Sequence, residues 1–219
     1  MHLAPRIPHH ESVKNIIFDF GGVICNLDLS RTIAKFREFG QPREENRLQE
    51  EEQNKTFDKL VEVYETGMMT SQQFREKIRS HYISSPGDAL IDEAWNALLA
   101  GIPEDRIWLL EDIRKFYRIF LLSNSNEIHF LKFRQNLHDQ FGYPDFDSLF
   151  EKAYFSYKVH IRKPNPEIFR LVLKENELLP SETLFIDDTP GHVESANKLN
   201  IIGYHLNDSE DITSLFTKP

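Results

Sequence analysis

Cysteine is nearly missing from this chain: Cys25 stands alone among 219 residues. A single cysteine closes no intrachain disulfide, so the fold has to be held by packing, as expected in a reducing compartment. With no histidine near it in sequence, Cys25 reads as a small apolar core residue rather than a nucleophile. Long hydrophobic runs are also missing. No stretch approaches the roughly 20 apolar residues of a membrane span, and Met1 to Arg6 lack the apolar centre of a signal peptide. Positive charge is in deficit, with 26 Lys and Arg against 35 Asp and Glu, a formal net charge of −9. A phosphate-backbone binder needs a basic footprint. The expectation is therefore a soluble cytoplasmic protein with neither nucleic acid nor membrane as partner. No internal repeat or low-complexity tract occurs, and His9-His10 read as solvated tail rather than a metal site.

What is present suffices for a core: 40% hydrophobic and 12% aromatic residues, 17 of them Phe. Ile16, Ile17 and Phe18 form a short apolar run without alternation, the pattern of a parallel strand buried on both faces. It ends at Asp19, followed by Phe20, Gly21 and Gly22. From about Asp28 to Gly101 the spacing is helical and no strand signal occurs. Stripes at Leu29, Ile33 and Phe36, at Phe57, Leu60, Val61 and Tyr64, and at Ile91, Trp95, Leu98 and Leu99 recur every three to four residues. Gly67 suits the position just past a helix end. Thr70 with Gln73 matches a capping box, and Glu44 to Glu52 read as a solvated helix face or connection. Strand and helix then alternate: Arg118 to Leu122, Tyr154 to Ser156, Thr183 to Ile186 and Ile201 to His205 are strands, with helices between. The fold class this predicts is α/β, a Rossmann-like parallel-sheet core made of 1–27 and 102–219 with an inserted α-helical cap, 28–101.

Three strand ends carry polar residues: Asp19, Ser123-Asn124 and Asp187-Asp188. Parallel strands deliver their carboxyl ends to one edge, where open α/β sheets bind ligands. Lys163, in a loop before Pro164, can reach the same edge. Each member alone has an ordinary reading as a turn, a cap or loop chemistry; the joint order carries the argument. Three carboxylates together repel unless a cation neutralises them, and hard oxygen donors select Mg²⁺. Ser123, Lys163 and the amides of the glycine turn could hold a tetrahedral anion. That is equipment for phosphoryl transfer to a carboxylate.

These segments, Ile16 to Val23, Leu121 to Ser125, Arg162 to Phe169 and Leu184 to Ala196, resemble the four motifs of the haloacid dehalogenase-like hydrolase superfamily, and the helical insert resembles its cap of the first type. The resemblance implies that Asp19 is a nucleophile forming an aspartyl-phosphate. It implies Mg²⁺ held by Asp19, the Gly21 carbonyl and an acid of the fourth motif, Asp188 first and Asp187 beside it. Ser123 and Lys163 would grip phosphoryl oxygens, and Asn124, Gly21 and Gly22 would line the phosphate and substrate site. Most phosphatases of the family carry a second Asp, the general acid/base, two residues after the nucleophile. This chain has Gly21 there, and His192 where Asn is frequent. The Asp-x-Gly-x-Val form resembles a subgroup similar to bacterial α-D-glucose-1-phosphate phosphatases.

The function expected from this is hydrolysis of a small phosphorylated metabolite, a sugar phosphate by preference, by a monomer or homodimer. Two other readings compete. A metal-independent 2-haloacid dehalogenase also lacks the second Asp, but the paired Asp187-Asp188 would repel its anionic substrate. A catalytically weak binding or regulatory protein would have Gly21 as its lesion. Asp28, Arg31, Tyr64 and Trp95 are candidates to face the crevice from the cap.

Overall fold

The computed structural model describes residues 4–5, 12–44 and 50–217. His9-His10 and most of the charged stretch after Glu44 fall outside the described residues or their described side chains. Five parallel strands form the central sheet: β1 (Asn15–Phe18), β2 (Arg118–Ser123), β3 (Lys152–Phe155), β4 (Thr183–Asp187) and β5 (Ile202–His205). Their order is β3-β2-β1-β4-β5, so the first strand is central and the chain crosses over it to build the two halves. Ile16 lies beside Ile119 and Leu184, and Phe18 beside Leu121 and Ile186.

The lack of polar alternation in these strands has a direct cause. Ile16, Phe18, Leu121 and Ile186 face one layer, with Leu110, Ile113, Phe133 and Leu137 from α5 (Glu104–Ile113) and α6 (Glu127–Phe141). Ile17, Phe120, Leu122 and Phe185 face the other, with Ile168, Phe169 and Val172 from α7 (Pro166–Glu175) and Ala196 from α8 (Pro190–Asn197). Successive side chains point to opposite faces, and both faces are covered, so every position is apolar.

The insert packs four helices, α1 (Leu29–Arg37), α2 (Glu50–Glu65), α3 (Ser71–His81) and α4 (Asp88–Asn96), around a core of its own. Phe36, Tyr64, Phe74, Ile78, Ile91 and Trp95 form it, with Ile128 entering from the sheet domain. The Thr70 capping box is present, and Gly67 takes φ +67° just past α2. One expectation fails here. Leu99–Gly101 is a short strand, antiparallel to Asn26–Leu27, so two adjacent strands carry the chain into and out of the insert. Three residues are too few for periodicity to register. Ser156 likewise opens a helical turn, Ser156–Val159, instead of ending β3. Among the described residues no helix is long and apolar enough to cross a membrane.

Candidate active site

The sheet register brings the polar strand ends together. Asp19 follows β1, Ser123 ends β2 and Asp187 ends β4, at adjacent positions of one edge. Asp19, Asp187 and Asp188 bring one carboxylate oxygen each within 4.8 Å of one another. Lys163 arrives from the loop before α7 and is fully buried between two of them. Its Nζ lies 2.7 Å from Asp19 Oδ1 and 2.7 Å from Asp187 Oδ2.

The electrostatics of this cluster separate its members. Burial pushes Asp19 up to about 7. Lys163 opposes that rise, while Asp187 and Asp188 add to it. Burial alone would strip Lys163 of its proton, but the two facing carboxylates reverse this and raise it above the ordinary lysine range. Asp187 is pushed up by burial, but Lys163 and His192 bring it below the usual carboxylate value. Asp188 is raised, by burial first and by Asp187 second.

The two consecutive aspartates therefore have different work. Asp187 is wholly buried and its lone pairs are taken by Lys163, by the Thr189 amide at 2.8 Å and by His192 Nδ1 at 3.0 Å. Asp188 is half-buried, and its one hydrogen-bonded side-chain contact is the Thr189 hydroxyl at 3.3 Å. His192 is thus the group that holds Asp187. Sequence reasoning noted it only as a departure.

Two residues expected at the phosphate site have partners within the protein. Asn124 spends its amide on the backbone of Lys163, donating from Nδ2 to the carbonyl and accepting the amide N–H at Oδ1, both at 2.9 Å. It positions the lysine. The Gly22 N–H donates to the Cys25 carbonyl at 2.9 Å and closes the turn. Gly22 is required for another reason: φ is +74°, and a Cβ would collide with the Asp188 carboxylate. Ser123 is buried at the strand end, as expected. At Gly21 an added Cβ would lie 2.8 Å from Leu27 Cδ1, the movable end of an exposed side chain. Cys25 is buried and its thiol is pushed up to about 11, which makes it inert.

Of the four cap candidates, Tyr64 and Trp95 point inward. The Tyr64 hydroxyl meets Ser71 Oγ at 2.8 Å and the Ile128 amide at 3.3 Å. Trp95 stacks on His129 at 4.9 Å and 9° and donates to Asn126 Oδ1. Asp28 caps α1, and Arg31 is exposed. Sequence reading missed Glu65, which meets Arg162 across the boundary with Nη2 3.3 Å from Oε2. A signal existed: an acid in the last turn of a helix opposes the dipole and calls for a partner.

The profile of haloacid dehalogenase-like hydrolases matches residues 13–200. A D-ribitol-5-phosphate phosphatase of Bacteroides thetaiotaomicron is 29% identical over 187 residues, covering 85% of this chain and 88% of its own. The magnesium complex of a HAD family enzyme from Bacteroides thetaiotaomicron superposes with TM-score 0.84 at 36% identity, over 94% of this chain and all of its own. The wild-type form of that enzyme, with magnesium and inorganic phosphate, gives TM-score 0.79 at 35% identity and the same coverage. A 2-haloacid dehalogenase from Pseudomonas syringae pv. tomato DC3000, 16% identical with TM-score 0.59 over 89% of this chain and 86% of its own, shares the fold alone. With the motif residues gathered on one sheet edge and the family profile spanning most of the sequence, this chain belongs to the haloacid dehalogenase-like hydrolases, among relatives that are phosphatases.

Proposed function

We propose that this protein is a Mg²⁺-dependent phosphatase that hydrolyses a small phosphorylated metabolite, a sugar or sugar-alcohol phosphate, through an aspartyl-phosphate on Asp19. The observation that carries the reading is the trio Asp19, Asp187 and Asp188, with one buried ammonium between the first two. The donor set fits a divalent cation. It consists of hard oxygens only, and Asp19 and Asp188 are both held above the usual carboxylate range until a positive charge arrives. Asp19, Asp188 and the Gly21 carbonyl would hold Mg²⁺, with Asp187 behind them; the ion would neutralise phosphoryl oxygens. The names of the curated relative and of the phosphate-bound structure support the substrate class.

In this reading the Asp19 carboxylate attacks phosphorus as the bond to the leaving oxygen breaks. Lys163 does two things from one position. It offsets charge between Asp19 and Asp187, and it offers a donor to a phosphoryl oxygen beside the nucleophile. Asn124 and Asp187 fix it there. Ser123 gives a hydroxyl at the same edge. Residues 1–27 and 102–219 form the hydrolytic core, and 28–101 form the cap that closes over it. The sheet order places the four motifs; the cap supplies the wall from which a leaving group is recognised.

Phosphate release from a panel of sugar and alditol phosphates and p-nitrophenyl phosphate, with and without Mg²⁺, tests this. Turnover is expected to need the metal and to fall at least about 10³-fold in Asp19→Asn. Metal-independent release of halide from 2-chloropropionate would overturn the reading in favour of a dehalogenase. Mg²⁺ binding without turnover on any phosphate would move it to a regulatory role.

A further inference from the structure

Proton transfer to the leaving oxygen has no donor on the β1 loop. Gly21 has no side chain to supply one. The histidines near the edge are committed elsewhere. His192 Nδ1 is bound to Asp187. His129 is buried between Asn126 and the Trp95 carbonyl, and His160 Nδ1 meets the Thr66 carbonyl at 2.9 Å. Asp187 is saturated, and Glu127 is hydrogen-bonded to Ser71 Oγ.

Glu65 differs from all of these. It ends α2, where the insert presses on the segment that delivers Lys163: a Cβ at Gly67 would strike the Tyr157 carbonyl, and Thr66 accepts from His160. Arg162, its neighbour, is the residue immediately before Lys163. Their 3.3 Å approach satisfies an ion pair by distance but not the direction of a hydrogen bond. Glu65 Oε2 and Arg162 Nε are therefore both buried without a hydrogen-bond partner. Leaving such groups unpaired is costly, so the pair is poised to take a partner. A carboxylate and a guanidinium with unmet bonds, beside the phosphate-holding lysine, make a polar place for a ligand hydroxyl. Burial raises Glu65 above its ordinary value, with Arg162 and then Lys163 opposing, which favours a carboxyl that keeps its proton.

We propose that Glu65 is the proton carrier of the reaction, supplying from the cap what Gly21 cannot, with Arg162 holding its carboxyl over the leaving group. This rests on the phosphatase reading above. The protonated carboxyl gives its proton to the leaving oxygen as that P–O bond breaks and the Asp19–phosphorus bond forms. The resulting carboxylate then takes a proton from the water that attacks phosphorus and releases Asp19. The sum is one phosphomonoester and one water converted to an alcohol and inorganic phosphate. Because an alkoxide leaves far less readily than a phenolate, the need for this proton is greatest with sugar-alcohol phosphates.

The test compares Glu65→Gln with the wild type on an alkyl phosphate the wild type hydrolyses, such as ribitol 5-phosphate or glycerol 3-phosphate, and on p-nitrophenyl phosphate. Glu65→Gln keeps the shape and the contact with Arg162. The expected result is a fall of about 10²–10⁴-fold in the first turnover on the alkyl ester and a change of about threefold or less in the first-turnover burst of p-nitrophenolate. Later turnovers should slow on both esters because the base for water is lost too, with Mg²⁺ affinity by calorimetry and Tm unchanged. Glu65→Asp should recover part of the loss. Equal losses in the first turnover of both esters would show a structural latch, and no loss on either would show a bystander; each overturns the proposal. Absence of wild-type turnover on every ester would remove the phosphatase reading itself, a result the variant ratio cannot mimic.

Discussion

The floor of the crevice and its roof are built on opposite principles. On the floor, charge is dense and tied together: Lys163 bridges Asp19 and Asp187, and Asp187 also takes Thr189 and His192. The roof is aromatic. Tyr64 stacks on Phe74 at 4.4 Å, Phe74 lies 5.0 Å from Trp95, and Trp95 covers His129 of the sheet domain. The roof's charged contact with the floor, Glu65 to Arg162, is the one left incomplete in its hydrogen bonding. In the proposed reading a preorganised floor holds the group being transferred, whereas the roof is docked by packing and keeps open polar groups for whatever leaves. The difference teaches where chemistry and where specificity reside.

The sharpest way to break the comparison is to uncharge the floor. Lys163→Met should abolish turnover and also destabilise the protein by about 3–5 kcal/mol, because it leaves Asp19 and Asp187 buried without a cation. Loss of both activity and Tm is the expected outcome; an unchanged Tm would mean water replaces the ammonium. The roof should respond differently. Trp95→Ala removes a buried ring at the centre of the insert core, and a loss of about 3–5 kcal/mol in denaturant unfolding is expected. If the roof only docks, enzyme that remains folded should still bind Mg²⁺ with wild-type affinity. A weaker metal site in folded Trp95→Ala would show that the roof also shapes the floor.

The smallest effect concerns pH at the joint between them. Burial pushes His129 down to about 4, against an ordinary value near 6.5. The folded state thus binds its proton more weakly than the unfolded state does. The histidine's contribution is complete above about pH 6.5 and is lost as pH falls toward 4, an effect of up to about 3 kcal/mol. His129→Gln should flatten that part of the stability profile relative to wild type. Identical profiles would mean that His129 is solvated when protonated.

Much of this was readable beforehand, and the reasons are specific. Two-face burial erases polar alternation in β1, β2 and β4, so the sheet strands stood out as apolar runs. Each ended where a carboxylate or hydroxyl began. Gly67 and the Thr70 capping box worked because they are local bonds between residues three or four apart. The linking strand Leu99–Gly101 was hidden, since its partner Asn26–Leu27 lies more than seventy positions away. The partners that Asn124 and Gly22 take within the protein were hidden for the same reason: a residue type announces that it can donate, not to whom.

By itself, then, the sequence determined the parallel α/β core, the helical insert and the acidic, lysine-bearing edge, because these follow from periodicity and from residues at strand ends. Only the tertiary structure decided the division of labour. Asp187 became an anchor and Asp188 the open acid because Lys163 and His192 fall on one and miss the other. Glu65 met Arg162 across 97 positions of chain. Burial and the pairing of distant charges belong to three-dimensional neighbours, and no local pattern encodes them.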